Sequence, residues 1–75
     1  MSENIWARVH SPADLGAVLR ELRERADLSQ EAVADELGID RRYVYQLETG
    51  VPTLYTTRLF ALLRLLDAHL EVSAP

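Results

Sequence analysis

The 75-residue sequence predicts an all-α fold, a compact bundle of four helices or five, with a short β-strand allowed at the chain terminus. Three observations predict it. Apolar residues recur at 3.6-residue spacing in the first and last thirds of the chain. Ser, Asp or Thr precedes each helical run, where a helix N-cap belongs. Gly38 and Gly50 close the two short central runs, as residues free to turn left-handed do.

Each element follows in order. Ile5-Trp6-Ala7-Arg8-Val9 alternates apolar and polar, as a short strand does. Ser11-Pro12-Ala13-Asp14 is a helix start: Ser11 caps, Pro12 suits the first helical position, and Asp14 completes a weak capping box. The first helix then runs to about Arg25, with Leu15, Val18, Leu19, Leu22 and Ala26 on one side and Arg23 at the edge of that stripe. Ser29 caps a second helix over Gln30–Leu37, and Gly38 stops it. Asp40 caps a third, from Arg41 to about Glu48. Thr53 caps a fourth, from Leu54 to Asp67, which carries one apolar stripe of Leu59, Leu62, Leu63 and Leu66 and a second of Leu54, Ala61 and Leu65. Leu70-Glu71-Val72 alternates like a second strand.

The chain has room for one domain, residues 1–75, with its helical core at about 12–66 and a strand and tail at 67–75. It contains no cysteine, which excludes disulfides and thiolate metal sites. No apolar run approaches the roughly 18 residues of a membrane span. MSENIWARVH lacks the charged-then-apolar order of a signal peptide. The expectation is a cytoplasmic protein with no membrane partner, no metal and no cofactor. His10 and His69 stand alone without metal-ligand spacing, and no carboxylate pair, nucleophile–base set or Gly-rich phosphate loop is present, so no enzyme is expected.

Net charge is −4, which by itself speaks against a nucleic-acid partner, but its distribution speaks for one. Residues 40–64 hold four Arg against Asp40 and Glu48, while both flanking segments are acidic. All eight cations are Arg, the better fork for phosphates and guanine edges.

Two short helices joined by a Gly-containing turn form a helix-turn-helix pattern. Counting Gln30 as position one, Ala34 stands at five and Gly38 at nine; Val33, Leu37, Ile39, Val44 and Leu47 stand at four, eight, ten, fifteen and eighteen. Ala34 lets the third helix cross close to the second, Gly38 permits the sharp turn, and the apolar set clamps the pair. At roughly 100° per residue, Arg41, Arg42, Tyr45 and Gln46 fall on one continuous polar face of the third helix. Val44 and Leu47 point to the core. Tyr43 and Glu48 sit at the two borders. In this motif the N-terminal part of the second helix of the pair enters the major groove. Arg takes guanine O6 and N7 bidentately, and Gln takes adenine N6 and N7. Tyr45 is placed either to touch a base or sugar or to stand as an exposed aromatic; Tyr43 either donates to a phosphate or packs on the second helix.

The segment LSQEAVADELGIDRRYVYQLETG resembles the helix-turn-helix family of the phage repressor and Cro proteins, over residues 12–66. More narrowly, VHSPADLGAVLRELRERADLSQ, TLYTTRLFALLRLL and the closing LEV resemble HipB-like antitoxins. The resemblance implies a lambda-repressor-like fold, base readers at Arg41, Arg42 and Gln46, and a DNA-backbone contact at Gln30. It also implies a half-buried salt bridge between Arg23 and Glu48. It implies autoregulatory repression of a palindromic operator by a homodimer, and a HipA-like toxin kinase as a further partner. The two readings of function that follow are a DNA-binding repressor and antitoxin, or a protein-interaction module that chiefly neutralises such a toxin. A stand-alone phage-type regulator is a third.

The second stripe of the last helix needs a cover. A two-fold dimer supplies one, through Leu54, Ala61 and Leu65, with Leu70 and Val72 of the terminal strand pairing across it. The alternative is that Ile5–Val9 covers the stripe within one subunit. The acidic residues Glu21, Glu24, Asp35 and Glu36 face away from the expected DNA surface; they serve as a solvated face or meet a toxin.

Overall fold

The structure is a computed structural model that describes residues 4–75. Its elements are β1 (Ile5–Val9), α1 (Pro12–Arg25), α2 (Gln30–Leu37), α3 (Arg41–Thr49), α4 (Leu54–Leu65) and β2 (Leu70–Ala74). No fifth helix occurs among the described residues. The fold is mostly helical but not purely so, because β1 and β2 form an antiparallel two-stranded sheet.

Local chemistry sets the helix ends. Ser11, Ser29 and Thr53 each accept a hydrogen bond from the backbone three residues on, and Asp40 from the backbone two residues on. At α4 the box is reciprocal: Thr56 Oγ1 accepts from the Thr53 amide at 2.9 Å. At α1 Asp14 reaches one residue further back than expected and accepts from the His10 amide. Gly38 ends α2 with φ +69°. α4 stops at Leu65, two residues earlier than its apolar periodicity suggests, and Asp67 turns left-handed.

The sheet decides where the core lies. Its register pairs Ile5 with Ala74 and Val9 with Leu70, so alternate side chains point to one face. Ile5 and Val9 from that face are buried with Val18 of α1 and Phe60 of α4, and Ala7, Leu15, Leu22, Leu63, Leu70 and Val72 pack around them. On the outer face the Arg8 guanidinium lies 5.4 Å over the Trp6 ring. The strands therefore pair within one chain. Leu70 and Val72, expected at a dimer contact, pack in the single chain against its own core.

Two further expectations are corrected by the same fact. Phe60, which the leucine count passed over, is the anchor of α4. The inward stripe is Thr56, Leu59, Phe60 and Leu63, while Leu62 and Leu66 are exposed. Anchored to the sheet, α4 does not cover the helix pair. Leu37 is 64% exposed, Leu47 is 56% exposed and Ile39 is exposed, rather than clamped in a core. With Leu19, Val33 and Val44 they border an open apolar cavity of about 180 Å³. The Cα trace is flattened, with principal-axis extents of 36 × 32 × 15 Å.

α1 and α3 make the closest helix contact. A Cβ built on Gly16 would lie 2.5 Å from the carbonyl oxygens of Leu47 and Glu48. Any side chain there pushes α3 away. Gly16→Ala is expected to destabilise by about 1–2 kcal/mol in urea unfolding, since overpacking outweighs the gain in helix propensity. A variant as stable as wild type would show that the helices separate without cost.

Candidate nucleic-acid interface

The site is built on α3. Its dihedral start is fixed by Asp40, whose carboxylate accepts from the Arg42 amide at 2.8 Å. Gly50 ends the helix in the left-handed region, close against the Ala13 backbone, which ties the end of α3 to the start of α1. Between these stops Val44 faces inward and is buried. Arg41, Arg42, Tyr43, Tyr45 and Gln46 are all exposed.

Arg41 and Arg42 stand at a helix end whose field disfavours cations. The structure shows what offsets this. Asp40 lies between the helix N-terminus and Arg42, and the Arg42 guanidinium binds it through Nε at 3.2 Å and Nη2 at 3.3 Å. The bond from the Arg42 amide, then that from its guanidinium, holds the Asp40 carboxyl below its ordinary value. The Arg42 side chain remains 84% exposed. An ion pair this open contributes little stability, so Arg42 can exchange Asp40 for another acceptor at small cost.

Beneath the exposed face lies one buried charge. Glu48 accepts from Arg23 Nε at 2.5 Å and Nη2 at 3.0 Å, a bidentate fork, and from Gln30 Nε2 at 3.1 Å. Arg23 Nη1 also donates to the Leu28 carbonyl at 2.8 Å. The pair's side chains are 14% and 5% exposed. Arg23's hydrogen bonds hold the Glu48 carboxyl below its ordinary value against the opposing effect of burial, and those same bonds raise Arg23. One carboxylate thus joins α1, the start of α2 and the recognition-type helix α3.

Gln30, expected at the DNA backbone, is half-buried and donates one amide N–H to Glu48. Of the residues assigned to a dimer surface, Leu54, Ala61 and Leu65 are exposed on α4, and Leu70 and Val72 are not. Sequence reasoning missed Gly16 and Arg20. The signal for Gly16 was present: a glycine inside a helix costs about 1 kcal/mol and calls for a packing reason. Arg20 carried no such signal, and only the fold places it beside Arg41 and Tyr45.

A Gly-turned pair of short helices, the second presenting two arginines, a glutamine and a tyrosine outward, defines a helix-turn-helix domain of the DNA-binding class. Residues 14–74 match the helix-turn-helix domain family. The chain is similar to an uncharacterized HTH-type transcriptional regulator, y4mF, of Sinorhizobium fredii (strain NBRC 101917 / NGR234). The two are 32% identical over 68 residues, which span 91% of this chain and 90% of that protein. The chain belongs to the helix-turn-helix family. No solved structure matches it. No helix among the described residues is long and apolar enough to cross a membrane.

Proposed function

We propose that the protein is a sequence-specific DNA-binding transcriptional repressor that occupies a palindromic operator as a homodimer and blocks initiation. The carrying observation is the exposed face of Arg41, Arg42, Tyr45 and Gln46 on a helix braced from behind by Glu48. The membership in the helix-turn-helix family and the regulator relative support the same reading. The dimer is supported by α4, where Leu54 and Leu65 stand open to solvent in the single chain. Two recognition helices then span about 34–36 Å, one turn of duplex.

The antitoxin role is the finer reading. It rests on the resemblance of the segments around α1, α4 and LEV to HipB-like proteins, whose partner is a HipA-like toxin kinase. In that reading the DNA face and the toxin face are separate surfaces. Arg42→Ala is expected to weaken binding to a duplex from upstream of the protein's own gene by roughly ten- to a hundredfold, the worth of one bidentate base contact. It should leave any toxin complex intact. Gel shift reads the first and co-purification with the product of a neighbouring kinase-like gene reads the second. If Arg41→Ala/Arg42→Ala binds that duplex as wild type does, the recognition-helix assignment is wrong.

A further inference from the structure

The Gln30 amide donates one hydrogen bond to Glu48 at the border of α3. Next to Gln30 the structure opens a polar cleft of about 280 Å³ between α1 and α3. Arg20 and Arg41 line it together with Arg23, Gln30, Tyr45 and Glu48. Three guanidiniums therefore face one carboxylate, and that carboxylate is already satisfied by Arg23 and Gln30. The charge left over is positive.

Arg20 and Arg41 are both available. Arg20 pairs with Glu24 at 3.7 Å, and both side chains are more than half exposed, so the pair is weak and easily exchanged. The Arg41 side chain makes no ion pair or hydrogen bond among the described residues. Two guanidiniums lining a solvent-open polar cleft suit a phosphate, whose oxygens match the planar fork. The cleft adjoins the face of α3 that carries the base-reading side chains, and phosphates flank the groove such a helix enters.

We infer that Arg20 and Arg41 clamp one DNA-backbone phosphate at this cleft, which brings α1 into the nucleic-acid interface and leaves base reading to Arg42, Tyr45 and Gln46. The inference rests on the DNA-binding reading above and names a contact within it. Arg20 touches the backbone and not the bases, so its contribution is electrostatic and independent of sequence.

The test is fluorescence anisotropy with two duplexes, one from upstream of the protein's own gene and one scrambled, between 50 and 200 mM salt. Arg20→Gln is expected to reduce the slope of log affinity against log salt by about 0.9. Over that fourfold range its affinity then falls about three- to fourfold less than wild type's. Both duplexes should weaken together, so that the preference between them is kept. Arg20→Lys should restore the slope, and Arg42→Ala should lower the preference instead. Arg20 is exposed, so an unchanged melting curve for Arg20→Gln separates these effects from unfolding. Binding by wild type with an unchanged slope in Arg20→Gln overturns the clamp and leaves the DNA reading standing; failure of wild type to bind either duplex overturns that reading as well. If millimolar inorganic phosphate shifts amide resonances around the cleft of wild type but not of Arg20→Gln, while the DNA slopes agree, the cleft is a free-anion site and the DNA assignment is wrong.

Discussion

Glu48→Ala is expected to lower the unfolding free energy by about 3 kcal/mol, the low end for breaking a buried pair by removing one partner. The low end applies because Arg23 keeps the Leu28 carbonyl and some exposure once Glu48 is gone. Gln30 loses its acceptor in the same step. Urea unfolding monitored by circular dichroism measures the change, and a loss under about 1 kcal/mol would place the pair with ordinary surface bridges. Acid gives a second readout with a definite sign. The Glu48 carboxyl is held below its ordinary value of 4.5 in the folded protein. The unfolded chain therefore takes up the proton first as pH falls. The stabilisation is fully present above the unfolded value and is lost as pH drops through the lower folded one. Wild type should lose stability more steeply than Glu48→Ala from about pH 5 downward. Exposed Asp40 and Glu71, whose carboxyls are also lowered, add a smaller slope that both proteins share.

Leu65→Glu is expected to convert the proposed dimer to a monomer while leaving the isolated fold intact. Leu65 is 81% exposed in the single chain, and a surface substitution of that kind stays within about 0.5 kcal/mol of neutral. In a dimer packed through α4 the same change buries an unpaired carboxylate. Sedimentation velocity at micromolar concentration should show the shift in mass. Operator affinity should drop on the order of 100-fold or more, as the second recognition helix loses its tether to the first. A Leu65→Glu protein that sediments as wild type does would remove α4 from the interface and, with it, the two-helix spacing on which the operator reading depends.

Much of the helical framework was legible because its signals are local. Ser11, Ser29, Asp40 and Thr53 cap, Gly38 turns left-handed, and the four helix starts follow from these residues alone. The Arg23–Glu48 bridge was legible only through resemblance, since nothing within 25 residues of chain pairs an edge arginine with an edge glutamate. The α4 stripe was misread for a physical reason. Thr56 and Phe60 complete an inward pattern with Leu59 and Leu63, but Thr56 is polar and four other leucines compete for the eye. Whether the terminal strands pair within or between chains depends on a tertiary choice that alternation does not carry. That choice frees α4 from the helix pair and leaves Leu37 and Leu47 in the open, against their positions in the motif. Gln30 shows the same limit at the site, because a helix-start amide can face DNA or a buried carboxylate equally well by spacing.

The pairing of β1 with β2 has a consequence in time. Val9 bonds to a partner strand that begins 61 residues later, at Leu70. During synthesis at about 5–20 residues per second, β1 emerges and waits on the order of 3–12 s for β2. Throughout that interval Ile5 and Val9 lack the strand that closes their sheet, and for most of it Phe60, the other large buried side chain of the core, is not yet made. The core that holds the molecule shut is therefore completed last, and α2 and α3, too short to hold their shape alone, depend on packing for their stability. Nascent chains should thus pass through a state with an open apolar strand, the stage at which a chaperone has the most to grip.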